Sequence, residues 1–184
     1  MKAVMILIIM DGIATGVYSS SIPSLVPPGY DDDTANKIAG ITMVSLGVGS
    51  VIGAYFNGKF TDKVGYLLSG KIGIFFWVIS CDFFIAALFY PSIWLGQISG
   101  FLWGFAMFYM EGWLYTICSL SYDGVASAFS VNKLVHSLLY LFYQIAVFTT
   151  SNSIPLKWIM TGMVLLTIPS LLYLKQLPNK SSIT

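Results

Sequence analysis

The chain has 184 residues, of which 57% are apolar and only 9% are charged, and its formal net charge is +1. Because a soluble domain carries about 25% charged residues, this composition excludes an ordinary soluble fold. The small net charge and the absence of a basic tract argue against a nucleic-acid partner.

One bilayer crossing takes roughly 20 helical residues, and apolar stretches of that length follow one another along the chain. They lie at residues 4–24, 37–57, 68–89, 94–118, 127–149 and 156–174. Short polar segments separate them, and together they fill most of the chain. We therefore predict an all-α, polytopic membrane protein in which residues 1–184 form a single domain of six transmembrane helices.

The first predicted span follows Lys2 directly with the apolar run AVMILIIM. Such a start resembles a signal peptide. Asp11 interrupts the apolar run, however, and no A-x-A cleavage site follows it. We therefore interpret residues 4–24 as a true membrane span.

The second span and the turn after it carry regularly spaced glycines and a few charged residues. An apolar helix with glycine at every fourth or fifth position lets a neighbouring helix approach closely. The segment 58–66 is predicted to be a tight reversal in which Asp62 precedes the next helix, whose dipole favours a carboxylate by about 0.3–1 kcal/mol. We interpret the set as a packed turn, with a gating role as the alternative. It comprises Gly49, Gly53, Gly58, Asp62, Lys63 and Gly65.

The third and fourth spans each contain one cysteine, Cys81 and Cys118. Their predicted depths differ by about 20 Å along the helix axis, whereas a disulfide needs Cα atoms within about 7 Å. We therefore expect two free thiols. One histidine and two separated cysteines form no metal-ligand pattern, and the sequence contains no phosphate loop, catalytic triad or nucleotide motif. Neither a metal, nor a cofactor, nor an enzymatic activity is predicted.

Charged or titratable side chains within spans usually face a cavity or a partner. Five are present here: Asp11, Asp82, Glu111, Lys133 and His136. Glu111 and Lys133 are predicted to lie at a similar depth, about 10 Å from one membrane face, so we expect an ion pair, and Asp11 is expected to meet either of them. Asp82 has no opposite charge at its level, so we expect either a partner outside the chain or a protonated carboxyl.

His136 lies one helical turn beyond Lys133 on the same face. A polar stripe continues along the fifth span and comprises Ser137, Tyr140, Tyr143 and Gln144. Because histidine titrates near neutral pH, one interpretation is a proton-responsive Glu–Lys–His cluster that lines a pathway. The other is a neutralised interhelical pair with its polar neighbours satisfied by other helices or by a partner protein. We favour the second.

The lysines indicate an orientation. All nine basic residues are lysine, and only Lys37 and Lys157 fall on the side opposite to the predicted termini, together with the acidic residues 31–33. The positive-inside rule therefore places both termini on the cytoplasmic or matrix-like side. The mitochondrial inner membrane and an endomembrane both agree with this pattern.

The segment GKFTDKVG at 58–65 resembles the loop signature of the major facilitator superfamily, G-x-L-A-D-R-x-G-R-K. Gly58, Asp62, Lys63 and Gly65 match the signature, and its position between the second and third spans agrees with that family. The two residues after Gly65 replace the usual Arg-Lys pair, so the cytoplasmic charge relay of many active transporters is incomplete.

A second likeness lies in the fifth span. Ala128, Phe129, Lys133 and Ser137 match the pattern A-F-x3-K-x-x-Q-S, with His136 where glutamine is common. This pattern is typical of the eleventh helix in the uncoordinated-type, ion-channel-regulator-like branch of the superfamily. The resemblance implies the C-terminal six-helix half of such a protein.

Full-length members of the superfamily have twelve helices in two halves, with the substrate bound between them. The resemblance therefore implies a half-length chain, which we predict to be a non-catalytic accessory or structural subunit of a larger membrane assembly. Its expected partners are the lipid bilayer and other membrane protein subunits. The alternative is a secondary transporter half that works as a homodimer or with a separately encoded N-terminal half.

Overall fold

The computed structural model of the protein describes residues 2–121 and 125–150, and in these ranges every regular element is helical. The elements are α1 (Lys2–Ser21), a 3₁₀ turn (Ile22–Leu25), α2 (Asp32–Val64), α3 (Tyr66–Phe89), α4 (Ile93–Ser121) and α5 (Val125–Thr150). Three helical segments are long and apolar enough to cross a membrane: Asp32–Val64, Tyr66–Phe89 and Ile93–Ser119. The prediction of an all-α fold is therefore confirmed for the described residues, and three of its helices have the length and apolar composition that a membrane crossing needs.

The predicted spans agree with the helices to within a few residues at most boundaries. The second is the exception, because α2 extends from residue 32 to residue 64 rather than from 37 to 57. The sixth predicted span, 156–174, lies outside the described residues, so its place in the predicted single domain of residues 1–184 is not described either. The number of spans therefore remains a prediction.

Local chemistry sets the two ends of α2. The Asp31 carboxylate accepts a hydrogen bond from the Thr34 N–H at 3.3 Å, and two further acidic residues occupy the first turn, where the helix dipole favours negative charge. At the other end Gly65 adopts φ 77°, a conformation that glycine tolerates best, and its N–H donates to Thr61 O.

The predicted turn at 58–66 is therefore wrong in extent. Helix α2 continues through Val64, and Gly65 alone separates it from α3. Polar and charged residues do not end a helix by themselves, so the charged residues extend α2 to 33 residues. At a rise of 1.5 Å per residue this is about 50 Å, longer than the hydrocarbon core of about 30 Å.

Consecutive helices alternate in direction, and we call the end of the bundle at which α2 ends and α3 begins its inner end. Helices α2 and α4 run parallel in close contact, since a side chain at Gly49 or Gly53 would collide with the carbonyl oxygen of Phe101 or Phe105. Gly104 faces the carbonyl of Leu46 in the same way. Helices α1 and α5 form a second parallel pair, with Gly12 against His136.

Helix α4 lies at the centre of the described bundle. Its Trp103 is fully buried, with ring centroids 5.3 Å from Tyr18 of α1 and 5.2 Å and 5.1 Å from Trp77 and Phe84 of α3. Nearer the inner end, Trp113 Nε1 donates to Tyr66 O at 2.7 Å and fixes the start of α3 to α4. This aromatic core positions the charged residues of α1, α4 and α5.

Candidate functional site

Charged side chains from three helices meet in the inner half of the bundle. Asp11 of α1, Glu111 of α4, and Lys133 and His136 of α5 form two pairs that also interact electrostatically with each other. Counted from the inner ends of their helices, the four lie about 12–17 Å deep at 1.5 Å per residue. We call this set the charge cluster.

The first pair joins α4 to α5. Lys133 Nζ contacts Glu111 Oε1, as the similar depths of the two residues predict. The Tyr115 hydroxyl donates to the same carboxylate oxygen at 2.6 Å, and Lys133 Nζ lies 5.4 Å from the centroid of the Tyr115 ring. The Glu111 side chain is 11% exposed and that of Lys133 is 55% exposed. The carboxylate is therefore neutralised inside the bundle by a lysine that approaches from its edge.

The second pair joins α1 to α5. His136 Nδ1 lies 2.9 Å from Asp11 Oδ2, and both side chains are largely buried. The prediction that Asp11 meets Glu111 or Lys133 directly is therefore wrong about its hydrogen-bond partner, because the parallel packing of α1 on α5 turns His136 toward it. The second carboxylate oxygen, Asp11 Oδ1, is buried and has no hydrogen-bond partner among the described residues.

The predicted polar stripe of α5 divides between the α1 interface and the surface. Gln144 Nε2 donates to Ser19 Oγ at 2.9 Å and to Gly16 O at 3.4 Å. Tyr143 packs on Gly16, Tyr140 is half-buried, and Ser137 is exposed. Part of the stripe therefore holds α1 against α5 rather than lining one continuous surface.

The glycines and charged residues that were predicted to form a packed turn differ in their surroundings. Gly49 and Gly53 face α4, whereas a side chain at Gly58 would meet nothing within 4 Å. Asp62 and Lys63 are exposed in the last turn of α2. The helix-dipole argument for Asp62 is therefore wrong, because a carboxylate at a helix C-terminus is disfavoured.

An open surface pocket of about 360 Å³ lies along this end of α2. Its lining is largely aromatic and includes two lysines; the residues are Tyr55, Phe56, Lys59, Phe60, Lys63 and Val64. Lys59 Nζ lies 4.9 Å from the centroid of the Tyr55 ring. The aromatic and basic side chains are typical of a membrane interface.

One hydrogen-bonded network at the inner end was not predicted. Thr61 Oγ1 donates to Asn57 Oδ1 at 3.1 Å and lies 2.8 Å from Ser69 Oγ, which lies 2.8 Å from Tyr109 Oη. The network joins α2, α3 and α4. The sequence does contain a signal for it. Gly53, Asn57 and Thr61 are four residues apart and therefore lie on the same face of α2, the face that packs on α4.

The remaining candidates lie apart from the charge cluster. Cys81 and Cys118 are buried and free, as predicted. Asp82 is exposed on α3. Within residues 2–121 and 125–150, no three His, Cys, Asp or Glu side chains, those of the charge cluster included, are arranged so that they could hold a metal ion.

No family model matches the sequence, and no curated protein shows significant similarity to it. The resemblance to the major facilitator superfamily therefore stays a prediction based on its quoted motifs.

Proposed function

We propose that this protein is a non-catalytic accessory or structural subunit of a larger membrane assembly. The observation that carries the proposal is the internal pairing of the charge cluster: Glu111 with Lys133, and Asp11 with His136. Charges inside a membrane protein that neutralise each other across helices hold those helices together without requiring a transported ion or substrate.

The surroundings of the cluster support the same role. Within α4, Tyr115 donates to the carboxylate that pairs with Lys133 of α5, and Gln144 of α5 donates to Ser19 of α1. Polar groups of α4 and α5 are therefore used in contacts between helices or in supporting them. The interior next to them is filled by the aromatic core around Trp103. Such an arrangement favours a rigid scaffold over a pathway that opens and closes.

Helix α2 offers a surface for other subunits. One narrow side of it, at Gly49 and Gly53, packs on α4, while Val44, Val51 and Tyr55 are 66%, 72% and 57% exposed. A spanning helix with one covered side leaves the other side for lipid or for a neighbouring membrane protein. In an accessory subunit, part of this apolar surface of α2 would contact partner proteins.

The proposal is tested by extraction from native membranes in a mild detergent, followed by quantitative mass spectrometry of the proteins that co-purify. We expect at least one other integral membrane protein in a fixed ratio to this chain, and that ratio should persist when the detergent concentration is doubled. Recovery of the chain only as a monomer or homodimer would contradict the proposal.

A second candidate is a secondary transporter half that works as a homodimer or with a separately encoded half. It is favoured by one observation: a largely buried histidine lies against Asp11, whose second oxygen is unpaired among the described residues. Histidine and carboxylate chains of this kind relay protons in transporters.

The two candidates are separated by a proton-flux measurement in proteoliposomes that contain a pH-sensitive dye. For an accessory subunit, the parent protein, Glu111→Gln and His136→Ala should all give the flux of protein-free liposomes. A flux that the parent supports and that either substitution abolishes would favour the transporter.

A further inference from the structure

Asp82 places a carboxylate on the outside of a membrane-spanning helix. It lies in α3, seven residues before the helix ends at Phe89, which is about 11 Å from the outer end at 1.5 Å per residue. Its neighbours Cys81 and Phe84 are fully buried against the core, whereas Asp82 is exposed. The carboxylate therefore points away from the bundle at a depth where charged groups are costly and usually have a partner.

The described part of this chain supplies no cation to Asp82. Lys37, near the outer end of α2, donates to Asp33 at 2.6 Å. Lys71 lies eleven residues earlier on α3, about 17 Å away along the helix, toward the inner end. Lys133 is paired with Glu111 in the inner half of the bundle.

A second copy of the chain does not solve the problem. In the same membrane orientation it presents its lysines at the same depths as the first copy. Outside the described residues, the sequence predicts one lysine on the outer side, Lys157, at the boundary of the predicted span 156–174 rather than at the level of Asp82. A cation that pairs with Asp82 would therefore have to come from another protein.

The surface around Asp82 has the form that receives a single helix. Leu68, Phe75, Asp82 and Phe89 recur at intervals of seven residues, and all four are exposed. A seven-residue repeat on one side of a helix is the pattern along which a second helix packs at a small crossing angle. Phe75 and Phe89 lie two helical turns before and after Asp82, so a helix packed along the stripe would cover the carboxylate and shield a charge pair from lipid.

We propose that this stripe of α3 binds a transmembrane helix of a different protein, and that a lysine or arginine in the outer half of that helix pairs with Asp82. The inference rests on the proposed function, since it names the chemistry by which one partner of the accessory subunit is recognised. The chain itself contains no arginine, so an arginine of the partner would also provide a bidentate contact that its own residues do not offer.

The test uses the full chain in native membranes, with the photo-cross-linking residue p-benzoylphenylalanine in place of Phe75, which is 61% exposed on the stripe. After irradiation, the cross-linked peptide is sequenced by mass spectrometry. We expect a transmembrane segment of another protein with a lysine or arginine in its outer half. Asp82→Asn should reduce the cross-link yield by at least about tenfold, and Asp82→Glu, which keeps the charge, should retain it.

Asp62→Asn is the matched control, because Asp62 is also an exposed carboxylate but lies at the inner end of α2. Its cross-link yield should equal that of the parent. Size-exclusion profiles of all variants check that folding is preserved. Exchanging the charges, with Asp82→Lys here and the basic residue of the captured helix changed to aspartate, should restore the cross-link.

Three results would overturn the inference: a cross-link to residues 151–184 of the same chain, a cross-link to a second copy, or an unchanged yield in Asp82→Asn. Each is distinct from failure of the proposed function. If partners co-purify with the parent but the stripe does not reach them, only the Asp82 contact is wrong; if no partner co-purifies, both proposals fail.

Discussion

Replacing Gly53 by alanine should force α2 away from α4, whereas the same replacement at Gly47 should not. Both glycines lie on α2, but only Gly53 faces α4. An added Cβ at Gly53 would collide with the carbonyl oxygen of Phe105, while one at Gly47 would meet nothing within 4 Å. The pair of substitutions therefore isolates the close helix contact from the general effect of adding a methyl group.

The magnitude follows from the geometry at Phe105. The added Cβ would lie 2.8 Å from the carbonyl carbon, whereas ordinary contact begins near 3.4 Å. The helices must then separate by at least the difference, about 0.6 Å, and backbone atoms cannot rotate away as a side chain would. Overpacking of this kind costs about 1–3 kcal/mol. At Gly47 the better helix propensity of alanine should instead stabilise α2 by roughly 0.5–1 kcal/mol.

The assay is equilibrium unfolding in mixed detergent micelles, with tryptophan fluorescence as the signal, since Trp77, Trp103 and Trp113 are buried in the folded bundle. Gly53→Ala should lower the free energy of unfolding and Gly47→Ala should not. If Gly53→Ala were as stable as the parent, or if both variants changed by the same amount, the contact between α2 and α4 would not be as close as described.

Three further experiments test the buried Tyr18 hydroxyl, the Glu111–Lys133 pair and the start of α2. Tyr18→Phe removes a buried hydroxyl without a partner among the described residues, so the thermal midpoint in detergent should stay or rise; a clear fall would show that the hydroxyl is bonded. Glu111→Gln should cost about 1–2 kcal/mol, less than a fully buried pair because Lys133 is half-exposed. In a double-mutant cycle with Lys133→Gln, simple additivity would refute the pair. The pKa of Asp31 is held below its ordinary value mainly by a hydrogen bond from the Thr34 side chain and secondarily by one from the Thr34 backbone. A carboxyl group whose pKa is lower in the folded than in the unfolded state stabilises the fold at pH values above the unfolded-state pKa, and this stabilisation is lost as the pH falls through the folded-state pKa. Asp31→Ala should therefore lower the thermal midpoint at pH 7. That difference should vanish in acid, and a difference that persisted there would contradict the cap.

The depth of a residue along its helix could be predicted from the sequence, but the neighbouring helix that its side chain faces could not. Counting residues from the polar boundaries placed Glu111 and Lys133 at the same level, because every helical residue adds the same rise. Asp11 lay at that level too, but the choice of His136 as its hydrogen-bond partner depends on how α1 is rotated against α5. That rotation is set by small residues at the interface, such as Gly12 and Gly16.

The end of α2 shows why polar segments are unreliable boundaries. The charged residues after Gly58 suggested a loop, but they extend the helix until Gly65 permits a positive φ. Glycine spacing predicted a close helix contact correctly at Gly49 and Gly53, and the same pattern included Gly58, which packs against nothing within 4 Å. A glycine that packing requires can be told from one that packing only tolerates when the position of the neighbouring helix is known.

The mass of the intact assembly tests the central claim most directly. Native mass spectrometry of the complex released from lipid nanodiscs should give one dominant species that contains this chain and at least one different membrane protein in a whole-number ratio. A dominant species with the mass of the chain alone, or of a whole number of its copies, would contradict the claim that the protein is an accessory subunit.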